Sequence, residues 1–151
     1  MPASTILILE SPTTGDASLA PILANAGYTV TSTTDPAEAV AKVSEHQLVA
    51  IDVGSGVKGK TAFDLCHDIR AAASTMAVPI LCVAATDDVE ERISFLEAGA
   101  DDVVARPFDA REVDARIEAL LLRFQRSRDL APVVSPDGLT LARPRRSVAV
   151  Y

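Results

Sequence analysis

The sequence is short of the features that mark several classes of protein. It has two cysteines, and Cys66 and Cys82 lie in apolar surroundings without the spacing of a metal site. We therefore expect two reduced thiols in the core. The longest apolar runs, such as ILIL at 6–9, are too short to cross a bilayer. The N-terminus has neither the basic start nor the cleavage site of a signal peptide, so we expect a cytoplasmic protein with no membrane contact.

Positive charge is also scarce. The chain holds 14 Lys and Arg against 21 Asp and Glu, a net charge of −7. Residues 1–126 carry 10 basic and 19 acidic residues, whereas residues 127–151 carry four Arg and two Asp. Proteins that grip nucleic acid present a basic face to the phosphates. We therefore expect no nucleic-acid binding by the main domain.

What the sequence does have is a regular alternation of strand-like and helix-like segments. Several strand-like runs are almost continuously apolar, which is typical of strands covered by helices on both faces. The alternation predicts an α/β fold with a parallel, doubly wound sheet and right-handed crossovers. The five runs are TILILE (5–10), YTVTS (28–32), LVAIDV (48–53), VPILCVA (78–84) and DVVA (102–105).

The segments between these runs carry helix signals. Gly27 is placed to end the first helix, and Asp35 followed by Pro36 is placed to begin the second. Thr86 is the expected N-cap of the fourth helix and Gly99 its end. The last and longest segment, 109–126, has an apolar stripe at helical spacing. The stripe consists of Val113, Ile117, Leu120, Leu121 and Phe124.

Ligands of parallel α/β sheets bind at the carboxyl ends of the strands. In this sequence those ends carry Glu10-Ser11, Asp52, Ala84-Ala85 and Arg106-Pro107. We expect the functional site at this edge.

Three stretches carry a resemblance to a known family. They are FLEAGADDVVARPFDAREVDARIEALLLR at 95–123, FDLCHDIR at 63–70, and the distance from Glu10 to Gly27-Tyr28. Through them the segment 5–126 resembles the receiver domain of bacterial two-component response regulators. The resemblance implies the flavodoxin-like (βα)5 fold with strand order 2-1-3-4-5, and a regulatory domain rather than an enzyme. It also implies that Asp52 is the candidate carboxylate phosphorylated by a histidine kinase.

The resemblance further implies a Mg²⁺ site and two phosphoryl-binding side chains, and here the sequence departs from the family. Receivers hold Mg²⁺ with two adjacent acids after strand one, the phosphoacceptor and a backbone carbonyl. In this chain those positions are Glu10 with Ser11, Asp52 and Gly54. Mg²⁺ tolerates little distortion of its octahedron, so we expect at most a weak site.

The phosphoryl-binding positions are altered as well. Ala84 stands at the family's Ser/Thr position, Arg106 at its Lys position and Val103 at its aromatic position. The loop after Asp52 is two residues longer than usual, with Gly56 where a Pro is expected. We therefore expect an atypical receiver with weak or absent phosphorylation.

Two plainer interpretations of the same residues stay open. A phosphorylation-competent switch at Asp52 is the alternative function. Asp52 otherwise simply caps a turn, with Arg106 paired to it or to Glu10.

A second alternative rests on GSGVKGKT at 54–61, which fits the phosphate-loop pattern. In that interpretation Gly54, Gly59, Lys60 and Thr61 bind a nucleotide. The position after the third strand of a receiver, and an acidic residue at its start, weigh against it. We expect instead a glycine-rich insertion with solvated lysines, although Lys58 or Lys60 folding back over Asp52 is left open.

The resemblance also points to partners. In receivers of winged-helix regulators, helix four, strand five and helix five form a homodimer face held by charge pairs. The matching residues here are Asp101, Asp102 and Arg116, with Arg92 and Arg111 available nearby. We divide the chain into a receiver domain at 1–126 and, at 127–151, a linker with the first strands of a truncated output domain. That output domain is either a winged-helix DNA-binding domain or a partitioning-type ATPase.

Overall fold

The computed structural model describes residues 4–12, 18–54, 57–73 and 78–130. Within them, five parallel strands form one sheet in the order β2-β1-β3-β4-β5, which confirms the predicted fold. The strands are β1 (Thr5–Glu10), β2 (Thr29–Thr33), β3 (Leu48–Asp52), β4 (Ile80–Ala84) and β5 (Asp102–Ala105). The helices are α1 (Ala20–Asn25), α2 (Pro36–Lys42), α3 (Ala62–Ala73), α4 (Val89–Ala98) and α5 (Ala110–Leu130), and a 3-10 turn, Val43–Glu45, follows α2.

The core is divided by the sheet into two apolar layers. Side chains alternate along each strand, so Leu7 and Leu9 of β1 face one layer, and Ile6 and Ile8 face the other. The first layer contains α2, α3 and α4, and both predicted thiols are buried in it. The second layer contains α1 and α5. Helices on both faces explain why the strands are nearly continuously apolar.

Most of the predicted helix ends are confirmed. Asp35 accepts a hydrogen bond from the Ala37 N–H at 3.1 Å, as an N-cap does. Gly27 and Gly99 follow α1 and α4 with φ of 101° and 120°, a conformation that favours glycine.

The predicted cap of α4 is wrong. Its N-cap is Asp88, whose carboxylate accepts the Glu90 N–H at 3.2 Å. Thr86 lies earlier and donates both its N–H and its hydroxyl to Glu91 Oε1, each at 3.3 Å. Three consecutive residues, 86–88, have capping side chains, and Asp88 is the one whose carboxylate begins the helix.

Helix α5 packs along the second layer as its sequence stripe predicts. Val113, Ile117 and Leu120 are buried, and Leu121 and Phe124 pack partly against them. The helix continues to Leu130, four residues past the predicted domain end. The predicted strands at the C-terminus fall in residues 131–151, outside the described part of the chain, and so stay a prediction.

A hydrogen bond also joins α5 to the residue before β2, the edge strand on the other side of the sheet from β5. The Tyr28 hydroxyl, just before β2, donates a hydrogen bond to Asp114 Oδ1 at 2.9 Å. Burial and the neighbouring carboxylate raise the pKa of Tyr28, so the hydroxyl keeps its proton and the hydrogen bond.

An ion pair at the amino ends of the strands joins α3 to the starts of β4 and β5. Arg70 donates to the carbonyls of Gly99 and Val78, each at 3.1 Å, and pairs with Asp101. Asp101 in turn accepts the Ile80 N–H at 2.8 Å. We call these contacts the Arg70 clamp. Asp101 is thus engaged within its own chain, and its place on a dimer face stays a prediction.

Among the described helices, none has the length and apolar character that crossing a membrane requires.

Candidate functional site

Glu10, Asp52, Ala84 and Arg106 lie together at the carboxyl ends of the strands, as predicted. Glu10 and Asp52 are register partners at the ends of β1 and β3. Ala84 ends β4 beside β5, and its carbonyl accepts the Arg106 N–H at 3.0 Å. The parallel sheet therefore brings together residues that are far apart in the sequence.

An ion pair between Arg106 and Asp52 dominates this edge. Arg106 Nη2 lies 2.5 Å from Asp52 Oδ2, and the Asp52 side chain is only 5% exposed. The guanidinium also lies over the ring of Phe108, 5.0 Å from its centroid, which is a cation–π distance. The Arg106–Pro107 peptide bond is cis. Of the two partners that the sequence left open for Arg106, the structure selects Asp52.

The pair does not fully offset the burial of the carboxylate. Removal from water raises the pKa of Asp52, Arg106 lowers it, and the nearby charge of Glu10 raises it further. The net pKa lies above the usual value for an aspartate because burial outweighs the guanidinium. Asp52 is thus a buried acid with one strong cationic partner.

Glu10 is held by a serine that the sequence analysis did not identify. Ser18 donates its hydroxyl to Glu10 Oε1 at 2.8 Å and accepts the Ala20 N–H at 3.1 Å. The Ser11 N–H donates to the backbone carbonyl of Asp52 at 3.3 Å. Nothing in the sequence singles out Ser18, because the contact depends on how α1 packs beside β1.

These residues make a poor site for a resident Mg²⁺ ion. Mg²⁺ needs oxygen ligands in a near-ideal octahedron. Here the guanidinium of Arg106 holds one oxygen of Asp52, the Ser18 hydroxyl holds one of Glu10, and Ala84 offers no side-chain oxygen. No group of three or more His, Cys, Asp or Glu in the described ranges is arranged to bind a metal. Among the described residues at these strand ends, Glu10 and Asp52 are the carboxylates, and Gly54, two residues after Asp52, is the predicted backbone ligand.

The insertion after β3 folds as a tight turn. Val57 and Lys60 exchange backbone hydrogen bonds of 2.9 and 3.0 Å around Lys58 and Gly59. Both central residues have positive φ, 52° and 80°, as a two-residue hairpin turn requires. The glycine at 59 is thus explained by the turn rather than by a phosphate.

The two lysines of this turn form ion pairs with an acidic residue of α3 and with the residue that caps α2. Lys58 Nζ lies 3.5 Å from Asp35 at the start of α2, and Lys60 Nζ lies 2.5 Å from Asp68 on α3. Both have acidic partners away from Asp52. The hypothesis that one of them folds over Asp52 is therefore wrong.

Thr61 begins α3 with a reciprocal cap. Its hydroxyl accepts the Asp64 N–H at 3.1 Å, and Asp64 Oδ2 accepts the Thr61 N–H at 3.2 Å. The N–H groups of residues 57, 60 and 61 are therefore all bonded within the chain, whereas a phosphate cradle needs such groups directed at the ligand. The contacts of this loop do not support the nucleotide alternative.

Comparison with known proteins assigns the chain to a family. The model for the response regulator receiver domain matches residues 6–118. The chain belongs to the receiver family. PhoP of Pseudomonas aeruginosa, a two-component response regulator, is 37% identical over 103 residues, which cover 67% of this chain and 44% of PhoP. The sensory transduction protein RegX3 of Mycolicibacterium smegmatis is 32% identical over 143 residues, covering 95% of this chain and 60% of RegX3.

A solved structure shows the same fold at lower identity. It is the receiver domain of sensor histidine kinase PA1611 from Pseudomonas aeruginosa, with magnesium coordinated in its active-site cleft. The TM-score is 0.66 at 22% identity, over 79% of this chain and 98% of that one. The chain spans 44% and 60% of the lengths of PhoP and RegX3, so it corresponds to about half of each.

The receiver's predicted dimer charges are all paired within the chain. Arg116 Nη1 contacts both carboxylate oxygens of Asp102 at 3.0 Å, and its other nitrogens contact Glu112 at 3.0 and 3.1 Å. Arg92 pairs with Asp87. Arg111, 91% exposed, pairs with Asp109 and lowers the pKa of that carboxyl to about 2. A dimer that uses these charges therefore has to exchange partners rather than satisfy vacant ones.

The same face of the receiver carries an apolar stripe that the sequence analysis missed. Val89, Ile93 and Leu96 of α4 are 60%, 41% and 46% exposed. Their spacing of four and three residues places them on one side of the helix. The spacing was visible in the sequence, but periodicity alone does not tell an outward stripe from one that faces the core.

Proposed function

We propose that this chain is an atypical receiver domain that acts through protein contacts and is not efficiently phosphorylated. Receiver domains are regulatory signalling domains, and a histidine kinase is the family's usual partner. The observation that carries the proposal is the Arg106–Asp52 pair. One oxygen of the Asp52 carboxylate, Oδ2, is already held by the Arg106 guanidinium.

The chemistry of phosphoryl transfer supports this interpretation. Transfer depends on positioning and on neutralising the phosphoryl oxygens with metal ions and donors. Ser11 supplies no second carboxylate, and Ala84, 1% exposed, supplies no hydroxyl. Mg²⁺ binding, which PA1611 shows for its own cleft, is expected here only as a weak interaction of Glu10, Asp52 and the Gly54 carbonyl. A phosphorylation-competent switch is the competing function.

Mass spectrometry after incubation with acetyl phosphate and Mg²⁺ tests the proposal. The wild-type chain should gain no covalent phosphate, whereas a receiver known to accept phosphate, run in parallel, should gain it. The triple variant Ser11→Asp, Ala84→Ser, Arg106→Lys should gain an adduct, because it restores the missing acid, hydroxyl and compact ammonium. A wild-type adduct that disappears in Asp52→Ala would establish the switch instead.

We further infer that the domain forms a homodimer through α4, β5 and α5. The support is the exposed stripe Val89, Ile93 and Leu96 beside the Asp102–Arg116 pair. An exposed apolar patch next to charges that can exchange partners is typical of an association surface.

Sedimentation velocity tests the dimer. Ile93→Glu should shift the chain toward monomer. Val40→Glu is the matched control, since Val40 of α2 is 38% exposed and lies on another helix. A wild-type monomer at high concentration, or equal effects of both variants, would contradict this face.

The complete protein is, we propose, a cytoplasmic transcriptional regulator. The RegX3 alignment covers 95% of this chain, so it includes most of the residues after Leu130, where the winged-helix and ATPase interpretations diverge. A tail that continues like that of a response regulator favours the winged helix. Mobility-shift assays of the full-length protein on its own upstream DNA should give a specific complex. ATP hydrolysis by the full-length protein without DNA binding would favour the ATPase.

A further inference from the structure

The Arg106 side chain contacts an aromatic ring as well as the carboxylate of Asp52. Its Nη2 lies 2.5 Å from Asp52 Oδ2, and its guanidinium carbon lies 5.0 Å from the centroid of the Phe108 ring. Phe108 itself packs against the apolar layer that contains α1 and α5. A continuous set of contacts therefore runs from the core, through the ring and the guanidinium, to the buried carboxylate.

The ring gives a physical reason for an arginine at this position. A guanidinium is planar and weakly hydrated, so it can stack on an aromatic face and still donate to a carboxylate. The attraction between a cation and an aromatic face is stronger where water is excluded, and the Arg106 side chain is only 29% exposed. Phe108 therefore favours the position in which the guanidinium contacts Asp52.

The charges around Asp52 show what this guanidinium does to a metal ion. Among the described residues, the charged groups that act on Asp52 are Arg106 and its register partner Glu10. The two carboxylates alone carry a charge of −2, and carboxylate oxygens are the ligands that Mg²⁺ prefers. The guanidinium reduces that charge to −1 and holds one of the oxygens. It thus opposes a metal ion both by repulsion and by competition for a ligand.

We propose that Arg106, held in place by Phe108, is a built-in cation at Asp52 that takes the place of a divalent metal ion. Arg106 supplies the positive charge, and Phe108 is a positioning residue that keeps the guanidinium on the carboxylate. The inference deepens the proposed function and rests on the same Arg106–Asp52 pair. It adds a role for Phe108 and a cause for the weak affinity of this edge for Mg²⁺.

Titration with MgCl₂ at constant ionic strength, followed by two-dimensional ¹H–¹⁵N NMR, tests the built-in cation. The amides of Ser11 and Val53 report on the site, because each residue directly follows one of the two carboxylates. The wild type should bind Mg²⁺ weakly. Arg106→Gln should bind it at least about tenfold more tightly, because a like charge beside the ion is removed and a carboxylate oxygen is released. An affinity of Arg106→Gln no higher than that of the wild type would overturn the proposal.

A variant at an exposed arginine controls for net charge. Arg111→Gln removes the same charge from a side chain that is 91% exposed, so it should leave the affinity for Mg²⁺ within about twofold. Equal gains in Arg111→Gln and Arg106→Gln would mean diffuse electrostatics and would also overturn the proposal.

Two variants of Phe108 test its positioning role. Phe108→Leu should tighten Mg²⁺ binding by about twofold to fivefold, because the guanidinium loses its cation–π contact and yields the carboxylate more easily. Phe108→Tyr keeps an aromatic face and should retain the wild-type affinity. A merely structural role would change the stability of these variants and leave their Mg²⁺ affinities equal, which would overturn the assignment of Phe108.

Thermal denaturation extends the test to variants that are poorly folded without metal. A ligand that binds the folded chain stabilises it, so MgCl₂ should raise the Tm of Arg106→Gln and leave that of the wild type unchanged. Arg106→Met is the second variant, since it removes the charge and keeps an unbranched side chain beside Phe108. The absence of a Mg²⁺ effect on both Arg106 variants would overturn the proposal.

These results are distinguishable from a failure of the proposed function. Covalent phosphate on the wild-type chain would contradict the proposed function, whatever the Mg²⁺ affinities. Equal Mg²⁺ affinities of the wild type and Arg106→Gln would contradict the built-in cation alone, even where neither chain gains phosphate.

Discussion

An arginine–aspartate pair lies at each end of the strands, one at their amino ends and one at their carboxyl ends. The two pairs make different contacts. The arginines are similarly exposed, Arg70 at 27% and Arg106 at 29%. At the amino edge, the Arg70 clamp also satisfies two backbone carbonyls and the Ile80 N–H. At the carboxyl edge, Arg106 is the donor found for the Asp52 carboxylate within the described residues.

We infer from this difference that the Arg70 pair is structural and propose that the Arg106 pair is functional. Polar backbone groups that are removed from water need partners, so the clamp fills a requirement of the fold. Among the contacts of the described residues, the Asp52 carboxylate accepts no backbone N–H. Burial of an ion pair is not stabilising in itself, because the cost of desolvation offsets the attraction. We therefore expect the fold to depend on Asp101 far more than on Asp52.

The largest predicted effect is the contrast between Asp101→Ala and Asp52→Ala. Asp101→Ala should lower the free energy of unfolding by about 2–4 kcal/mol, because Ile80 and Arg70 lose a charged acceptor. Asp52→Ala should change it by no more than about 1 kcal/mol in either direction, because a buried charge is removed and Arg106 keeps access to solvent. Urea denaturation monitored by circular dichroism measures both. Similar losses of unfolding free energy in the two variants would contradict the distinction between the two pairs.

Glycine substitutions sharpen the description of the clamp. An alanine Cβ at Gly99 would lie 2.9 Å from Arg70 Cγ, at a φ of 120°. Gly99→Ala should therefore destabilise the fold by about 1–3 kcal/mol, through backbone strain and displacement of Arg70. Gly27→Ala is the control, since its φ is 101° and nothing lies within 4 Å. Its loss should be smaller, and the difference in unfolding free energy measures the crowding at Arg70.

Arginine-to-lysine substitutions test geometry at constant charge. Arg70→Lys should cost about 1–2 kcal/mol, because an ammonium on a flexible stem cannot reach two carbonyls and a carboxylate in the arrangement of the planar fork. Arg106→Lys should cost less than about 1 kcal/mol, because a lysine ammonium that reaches Asp52 keeps the pair. Thermal denaturation of the two variants side by side gives the comparison. A larger loss for Arg106→Lys would show that the carboxyl-edge pair is the structural one.

The smallest predicted effect is a change in pH dependence. Burial raises the pKa of Asp52 in the fold, so just above the ordinary carboxyl pKa the folded chain binds more protons than the unfolded chain. The stability that Asp52 contributes is thus present at low pH and lost as pH rises through its raised pKa. The pKa of Asp101 is raised too and acts in the same direction.

Subtracting the pH profile of the unfolding free energy of Asp52→Asn from that of the wild type isolates the contribution of Asp52. The difference in unfolding free energy, measured from pH 4 to pH 7, should move in favour of the variant as pH rises. A difference that moves toward the wild type would mean that Arg106 outweighs burial.

The sequence was sufficient for the features that local patterns determine. Strand positions, the cap at Asp35 and the ends at Gly27 and Gly99 each depend on a few neighbouring residues, and the structure confirms them. The error at Thr86 arose where three neighbouring side chains could each cap the helix. The meeting of Glu10, Asp52, Ala84 and Arg106 followed from strand order, which the family resemblance supplied.

Contacts between distant elements were not accessible in this way. Arg70 and Asp101 are 31 residues apart, and nothing in the sequence relates them. The partners of Lys58 and Lys60 depend on where α2 and α3 lie around the insertion. The identity of a long side chain's partner is decided by packing, since a lysine can reach several acids at similar cost.

The tether between Tyr28 and Asp114 makes α5 a lever. Asp114 lies near the beginning of the 21-residue helix, so the remaining 16 residues extend about 24 Å from the fulcrum to Leu130. A tilt of a few degrees at the fulcrum displaces the far end by about an ångström or more. A tilt of this kind would therefore move the residues that follow Leu130 farther than it moves Asp114.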